Sequence, residues 1–200
     1  MLKGVYFITD SKFGKHEEMA KNALELGVKI IQLREKRMKD RDLFLTAKRL
    51  RELTESYDAL LIINDRLDIA VSAEADGVHL GQEDLPLEVA RELFDGLIGI
   101  SVHNFEEAMK AKKADYLGAG PIFKTTTKED AKEPIGLEEL NKIVLATNLP
   151  VFAIGGINSD NVKRVLDCKV AGIAVVSAIA GESKERAKDF IELVNKYLKI

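Results

Sequence analysis

LLIINDRLDIAVSAEADGVHLGQED, residues 60–84, holds two short apolar runs that each stop at polar residues. LLII at 60–63 ends in Asn64-Asp65, and GVHL at 77–80 ends in Gly81-Gln82-Glu83-Asp84. Between them Leu67, Ile69, Ala70 and Val71 carry helical spacing. Strand, helix and strand in so short a span predict a parallel pair, because a helical crossover brings the second strand back in the same direction. Asp65 and Asp84 then emerge at one end of the sheet. Neighbouring acids just past neighbouring strands form a candidate metal site. The competing reading is that each acid caps a helix, Asp65 the one beginning at Arg66 and Asp84 the one after Leu85-Pro86.

Outward from this unit the pattern repeats. β-rich runs fall near 4–9, 29–33, 97–101, 116–119, 151–154 and 172–176, and 3.6-period segments near 16–26, 40–56, 86–94, 105–112, 137–147, 160–166 and 184–198. Leu43, Ala47, Leu50 and Leu53 mark one face of the second helix. Asn104 with Glu107 reads as an N-cap. With the opening unit, these make eight strand–helix pairs in alternation, which predicts a (β/α)8 TIM barrel with parallel strands, a single domain over 1–200. A doubly wound open sheet is the alternative. It is disfavoured because the first strand-to-helix turn, Thr9-Asp10-Ser11-Lys12-Phe13-Gly14, lacks a dinucleotide G-x-G-x-x-G.

Composition narrows the partners. The chain is 46% hydrophobic, and no apolar run approaches the roughly 20 residues that span a bilayer. MLKGVYFITD turns polar too early to read as a secretory leader. The formal net charge is −3 with both signs interspersed, which argues against nonspecific nucleic-acid binding. One cysteine, Cys168, allows no internal disulfide and predicts a reducing, cytoplasmic setting, with the thiol packed rather than reactive. Nothing in the pattern sets a subunit number.

Barrel active sites lie at the C-terminal strand ends. Collected there are Asp10; Gln32, Arg34 and Lys36; Asn64 and Asp65; His79, Gln82 and Asp84; Ser101 and His103; Gly120, Thr125, Thr126, Thr127 and Lys128; Gly155 and Gly156; and Ser177. Cations and hydroxyls suit phosphate, and carboxylates suit Mg2+. Gln32, Arg34 and Lys36 alternate along an extended segment and so share one face. Either that face is the barrel mouth, or Arg34 and Lys36 pair with Glu35 and Asp40 at the surface. Gly155-Gly156 and Val176-Ser177 are either tight turns or anion cradles beside helix starts. The threonines and Lys128 occupy the longest irregular segment, 120–136, as a phosphate-capturing loop would. His79 is expected to be a satisfied core histidine, His103 is better placed to face a ligand, and His16 is set aside as part of an exposed helix start.

These motifs together resemble thiamine-phosphate synthase. The likeness runs through Tyr6-x-Ile8-Thr9-Asp10, Gln32-Leu33-Arg34-Glu35-Lys36, Ile63-Asn64-Asp65-Arg66, Gly77-Val78-His79-Leu80-Gly81-Gln82-Glu83-Asp84, Gly120-Pro121-Ile122-Phe123-x-Thr125-x-Thr127-Lys128, Ala153-Ile154-Gly155-Gly156-Ile157 and Val176-Ser177-Ala178-Ile179. It spans nearly the whole chain. The resemblance implies a TIM barrel that joins 4-amino-2-methyl-5-(diphosphooxymethyl)pyrimidine to 4-methyl-5-(2-phosphooxyethyl)thiazole, releasing pyrophosphate with Mg2+. It assigns the pyrimidine diphosphate to Gln32, Leu33, Arg34, Glu35, Lys36, Asn64, Ser101 and Lys128, and magnesium to Asp65 and Asp84. The thiazole phosphate falls to Thr125, Thr127, Gly155 or Gly156, Val176 and Ser177. Arg34, Lys36 and Lys128 would carry the catalysis electrostatically.

Two alternatives share the scaffold. A thiazole tautomerase would use a histidine at the place of His103, and Ser101-Val102-His103-Asn104 reads closer to that group than to the Ser-Thr-His usual in synthases. A non-catalytic thiazole-phosphate-binding protein would keep the Gly155-Gly156 and Ser177 site alone. The full diphosphate-binding set favours the synthase. Lys124 departs from the family by replacing a proline expected after Gly-Pro-Ile-Phe.

Overall fold

The computed structural model describes residues 2–125, 127 and 132–200. Strands β1 (Gly4–Asp10), β2 (Ile30–Arg34), β3 (Leu60–Asn64), β4 (Gly77–Leu80), β5 (Leu97–Val102), β6 (Tyr116–Ala119), β7 (Val151–Ile154) and β8 (Gly172–Val175) pair in chain order. Every pairing is parallel, and β8 returns to β1 to close a barrel. Outside it lie α1 (His16–Glu25), α2 (Asp40–Ser56), α3 (Leu67–Ser72), α4 (Leu87–Leu93), α5 (Phe105–Lys110), α6 (Gly136–Ala146), α7 (Val162–Leu166), α8 (Ser177–Ala180) and α9 (Lys184–Leu198). The (β/α)8 reading of the alternating pattern therefore holds, and the open-sheet alternative does not.

Because strand side chains alternate, each strand serves two cores. Phe7, Ile31, Leu33, Leu61, Ile63, Val78 and Leu80 face outward under the helices, where the buried stripe of α2 (Leu43, Ala47, Leu50) meets them. Tyr6, Ile8, Ile30, Ile62, Tyr116, Phe152 and Ala174 face inward and fill the barrel. The rings of Tyr6, Tyr116 and Phe152 meet edge to face with centroids 5.4–5.8 Å apart, the arrangement their quadrupoles favour. Gly99 makes room for them, since a Cβ there would sit 2.1 Å from Cζ of Tyr116.

Several element ends differ from the sequence expectation for local reasons. The 160–166 helix starts at Val162, because Asn158 Oδ1 accepts from Asp160 N (2.9 Å) and Asn161 Oδ1 from Asn158 N (3.0 Å), holding a turn instead. Pro86 precedes α4 rather than entering it. Asn104 does cap α5, accepting from Glu107 N at 2.8 Å. Val176-Ser177-Ala178-Ile179 leads into a separate short helix, α8, that periodicity alone did not separate from a turn. Among the described residues no helix is long and apolar enough to cross a membrane.

Candidate active site

The C-terminal strand ends enclose a cavity of about 350 Å³. Closure in chain order sets the ends of β2, β3 and β4 across the barrel from those of β6, β7 and β8. Arg34, Lys36, Asn64, Asp65 and Asp84 line the first wall, and Thr125, Thr127, Gly155, Gly156, Val176 and Ser177 line the second. His79, Ser101 and His103 also face the cavity. Thr126 and Lys128 lie outside the described residues.

On the first wall each cation is already partnered. Arg34 Nη1 donates to Asp10 Oδ2 at 2.5 Å, and Lys36 Nζ donates to Asp65 Oδ2 at 2.5 Å. The surface pairing with Glu35 and Asp40 is not formed: Asp40 instead accepts from Arg66 Nη1 at 2.7 Å. Nor do the acids act as helix caps. The N-cap residues of α3 and α4 are Arg66 and Pro86, with no side-chain cap bond at either. Asp65 adopts φ +62°, a left-handed turn that Asp tolerates through its short polar side chain. Asp84 Oδ2 accepts from Gly81 N at 2.6 Å, folding the β4–α4 turn back on itself. The two carboxyls face each other. Burial, reinforced by Asp84, raises the Asp65 pKa above the ordinary carboxylate value although Lys36 opposes the shift.

Strand parity divides the five residues from Gln32 to Lys36. Gln32 points into the barrel, where its Nε2 donates to the Tyr6 hydroxyl at 2.7 Å. Leu33 is 1% exposed in the outer core, so its side chain is unavailable to a ligand. Glu35 turns away too, toward His16, and only Arg34 and Lys36 reach the cavity.

The floor is a chain of hydrogen bonds. Tyr6 and Tyr116 hydroxyls are 2.9 Å apart, His79 Nδ1 lies 3.2 Å from the Tyr116 hydroxyl, and His79 Nε2 lies 2.9 Å from Ser101 Oγ. Burial raises both phenols above the ordinary tyrosine value, so they stay neutral. His79 is therefore the satisfied interior histidine that was expected, and it also forms cavity surface. Gln82 Nε2 donates to Ser101 O at 2.7 Å. His103 is held by Glu107, whose Oε2 lies 2.9 Å from Nδ1 and accepts from His103 N at 2.7 Å.

On the second wall Gly155 (φ +98°) and Gly156 (φ +66°) bring backbone against the loop after β6. A Cβ at Gly156 would stand 2.6 Å from Lys124 O, so no other residue fits that turn unstrained. Thr127 N donates to Thr125 Oγ1 at 3.3 Å.

Sequence reasoning missed two residues. Lys132 lines the cavity from the same glycine-framed loop, and its signal was the one used for Lys128. His16 is 3% exposed, not part of an exposed helix start: Nδ1 lies 2.7 Å from Thr9 Oγ1 and Nε2 lies 3.2 Å from Glu35 Oε2. Cys168 is buried, and burial raises its thiol pKa, as an inert packed cysteine requires.

A closed parallel barrel with charged and hydroxyl side chains gathered at its C-terminal rim defines a TIM-barrel enzyme. The family model described as thiamine monophosphate synthase matches residues 5–179. Thiamine-phosphate synthase from Archaeoglobus fulgidus is 53% identical over 197 residues, covering 96% of this chain and 94% of that one. The Pyrococcus furiosus enzyme of the same name is 50% identical over 185 residues, covering 91% and 89%. A solved structure, thiamine phosphate pyrophosphorylase from Pyrococcus furiosus, superposes with TM-score 0.89 at 46% identity, covering 98% of this chain and 95% of that one. The chain belongs to the thiamine-phosphate synthase family.

Proposed function

We propose that the cavity condenses 4-amino-2-methyl-5-(diphosphooxymethyl)pyrimidine with 4-methyl-5-(2-phosphooxyethyl)thiazole, forming thiamine phosphate and pyrophosphate. The observation that carries this reading is the division of the rim into two walls. One joins cations to paired carboxylates, suited to a diphosphate with a metal ion. The other joins glycine backbone, Ser177 and two threonines, suited to a monophosphate.

Asp65 and Asp84 would hold Mg2+. They fit it: two hard carboxylates face each other, neither is spent on a helix cap, and Asp65 is destabilised as an anion by burial and then by Asp84. Among the described residues no three His, Cys, Asp or Glu converge, which matches an ion that takes one or two carboxylates and completes its shell with water and phosphate. When bound, the ion supplies charge neutralisation to the diphosphate oxygens.

The chain's own residues do the rest. Arg34, with Lys36 and Lys128, stabilises negative charge as it accumulates on departing pyrophosphate. Departure leaves a methylene cation that the electron-rich aminopyrimidine stabilises, so the path is dissociative. The thiazole nitrogen is already a nucleophile and needs no activating base. Thr125, Thr127, Gly155, Gly156, Val176 and Ser177 anchor its phosphate so that the nitrogen meets the cation, an orientation task. Ser101, set by His79, and Asn64 contact the pyrimidine side. Gln32 acts through the floor, while Leu33 and Glu35 serve as backbone and scaffold.

The test is to supply both phosphorylated substrates with Mg2+ and follow thiamine phosphate and pyrophosphate. Equal amounts of both, abolished by chelation, are expected. Folded protein that yields neither product refutes the proposal, and isomerised thiazole phosphate without coupling would point to the tautomerase instead.

A further inference from the structure

His16 is a buried histidine that the proposed reaction does not use, and its partners lie on β1 and on the segment after β2 that carries Arg34 and Lys36. It starts α1, directly after the β1–α1 turn. Its Nδ1 lies 2.7 Å from Thr9 Oγ1 on β1, and its Nε2 lies 3.2 Å from Glu35 Oε2 just past β2. The His16 and Glu35 side chains are both almost wholly buried, at 3% and 4% exposed.

The donor–acceptor logic at Nε2 does not depend on the ring's charge. Glu35 Oε2 is an acceptor, so Nε2 must carry a proton. If the ring has that proton alone, Nδ1 accepts from the Thr9 hydroxyl. If Nδ1 is protonated as well, the Thr9 hydroxyl accepts from it and turns its own proton to Gln32 O, which lies 3.1 Å away. Either way, Nε2–H donates to Glu35.

Glu35 is in turn the fastener of the segment after β2. Its Oε1 accepts from Arg37 N at 2.7 Å, and its carboxyl also accepts from the Ser11 hydroxyl. These bonds hold its pKa down at about 2, so the group is an anion throughout the working range. Because side chains alternate here, fixing Glu35 on one side fixes Arg34 and Lys36 on the other, facing the cavity. The β1 side is tied in as well: Asp10 holds Arg34, and Lys12 N donates to Asp10 Oδ1 at 3.0 Å.

We infer that His16 is a positioning residue: through Glu35 it sets the turn from which Arg34 and Lys36 meet a diphosphate. The inference rests on the proposed function for the identity of the substrate, but not for the presence of an anion site at these cations.

The experiment compares wild type with His16→Phe, which keeps the volume and removes the donor, and His16→Gln, whose amide retains a donor. Titration calorimetry with inorganic pyrophosphate and Mg2+ reads the anion site, and steady-state kinetics reads KM for each substrate separately. In His16→Phe, pyrophosphate affinity and KM for the pyrimidine diphosphate should both worsen about tenfold, the order expected when one charge-assisted hydrogen bond is lost. KM for the thiazole phosphate should stay within about twofold, since a bond confined to the β2 turn leaves the opposite wall in place. His16→Gln should recover much of the affinity.

A purely structural role would lower Tm while leaving both KM values alone, or move them together, and either outcome overturns the inference. So does unchanged pyrophosphate binding in folded His16→Phe, or a wild-type protein that binds no pyrophosphate. If wild type makes no thiamine phosphate yet binds pyrophosphate, and His16→Phe weakens that binding, the proposed function fails while the positioning role stands.

Discussion

Removing the Lys36 ammonium, with Lys36→Met, should pull stability, metal binding and turnover in different directions. Lys36 donates to Asp65 at 2.5 Å, but its side chain is 51% exposed and that of Asp65 is 23% exposed. A pair that open to solvent contributes about 0–1 kcal/mol. For a chain of this size that corresponds to a fall of no more than about 4 °C in Tm. Without substrate, Lys36 occupies the Asp65 oxygen that the proposed Mg2+ would need. Its loss removes the Lys36 cation from Asp65, so Mg2+ should bind the free protein more tightly, by up to about fivefold if the whole pair energy is recovered. Turnover should move the other way. Lys36 is assigned to charge that develops on pyrophosphate, and removing one preorganised donor of that kind lowers kcat by about 10²- to 10³-fold. Thermal unfolding, Mg2+ titration without substrate, and steady-state kinetics read the three quantities independently. Unchanged kcat would remove Lys36 from the catalytic set. Weaker Mg2+ binding in the variant would mean that Lys36 and the ion do not compete for Asp65. A much larger loss of Tm would mean that the lysine is structural.

Arg34→Ala should be far more damaging to the fold, because its partner Asp10 is 5% exposed at the side chain and would be left as an unpaired buried charge. A loss of about 3–5 kcal/mol is expected by denaturant unfolding, partly restored by adding Asp10→Asn. Glu35 has its folded pKa held at about 2 against an ordinary 4.5, chiefly by backbone and side-chain hydrogen bonds that outweigh its burial. A depressed carboxylate stabilises the fold above its unfolded pKa and stops doing so as pH falls through its folded one. Glu35→Gln should therefore flatten the loss of stability between about pH 4.5 and 2, read as Tm against pH, and an unaltered acid limb would contradict the assignment. Gly156→Ala forces a Cβ against Lys124 O at a positive φ and should raise KM for the thiazole phosphate more than for the pyrimidine diphosphate. Equal effects on both would deny that Gly156 belongs to the second wall.

How far the chain could be read in advance depended on whether a residue's surroundings were local. Runs such as LLII and GVHL identify buried parallel strands because both faces of such a strand are apolar, and alternation with helices then leaves little choice of topology. Strand-end residues fell at the rim for the same reason, and parity within the 32–36 segment separates Arg34 and Lys36 from Leu33 and Glu35. What sequence could not weigh was the choice between caps and cavity for Asp65 and Asp84. That choice turns on a left-handed backbone at Asp65 and on the hydrogen bond that Asp84 accepts from Gly81 N, neither of which leaves a pattern. His16 departs from its sequence pattern because HEEMAKN looks solvated, while the partners that bury it come from β1 and from the segment after β2. Lys132 carries the same signal as Lys128, but no motif surrounds it.

In the proposed reaction Asp65 and Asp84, together with Arg34 and Lys36, form one site for a divalent ion and pyrophosphate. A crystal structure of the protein with pyrophosphate and Mn2+ in place of Mg2+, solved with anomalous scattering at the manganese edge, tests it most directly. A single anomalous peak is expected between the Asp65 and Asp84 carboxylates, with pyrophosphate bridging from it to Arg34 and Lys36. Pyrophosphate seated against Gly155, Gly156 and Ser177, or manganese bound away from both aspartates, would contradict it.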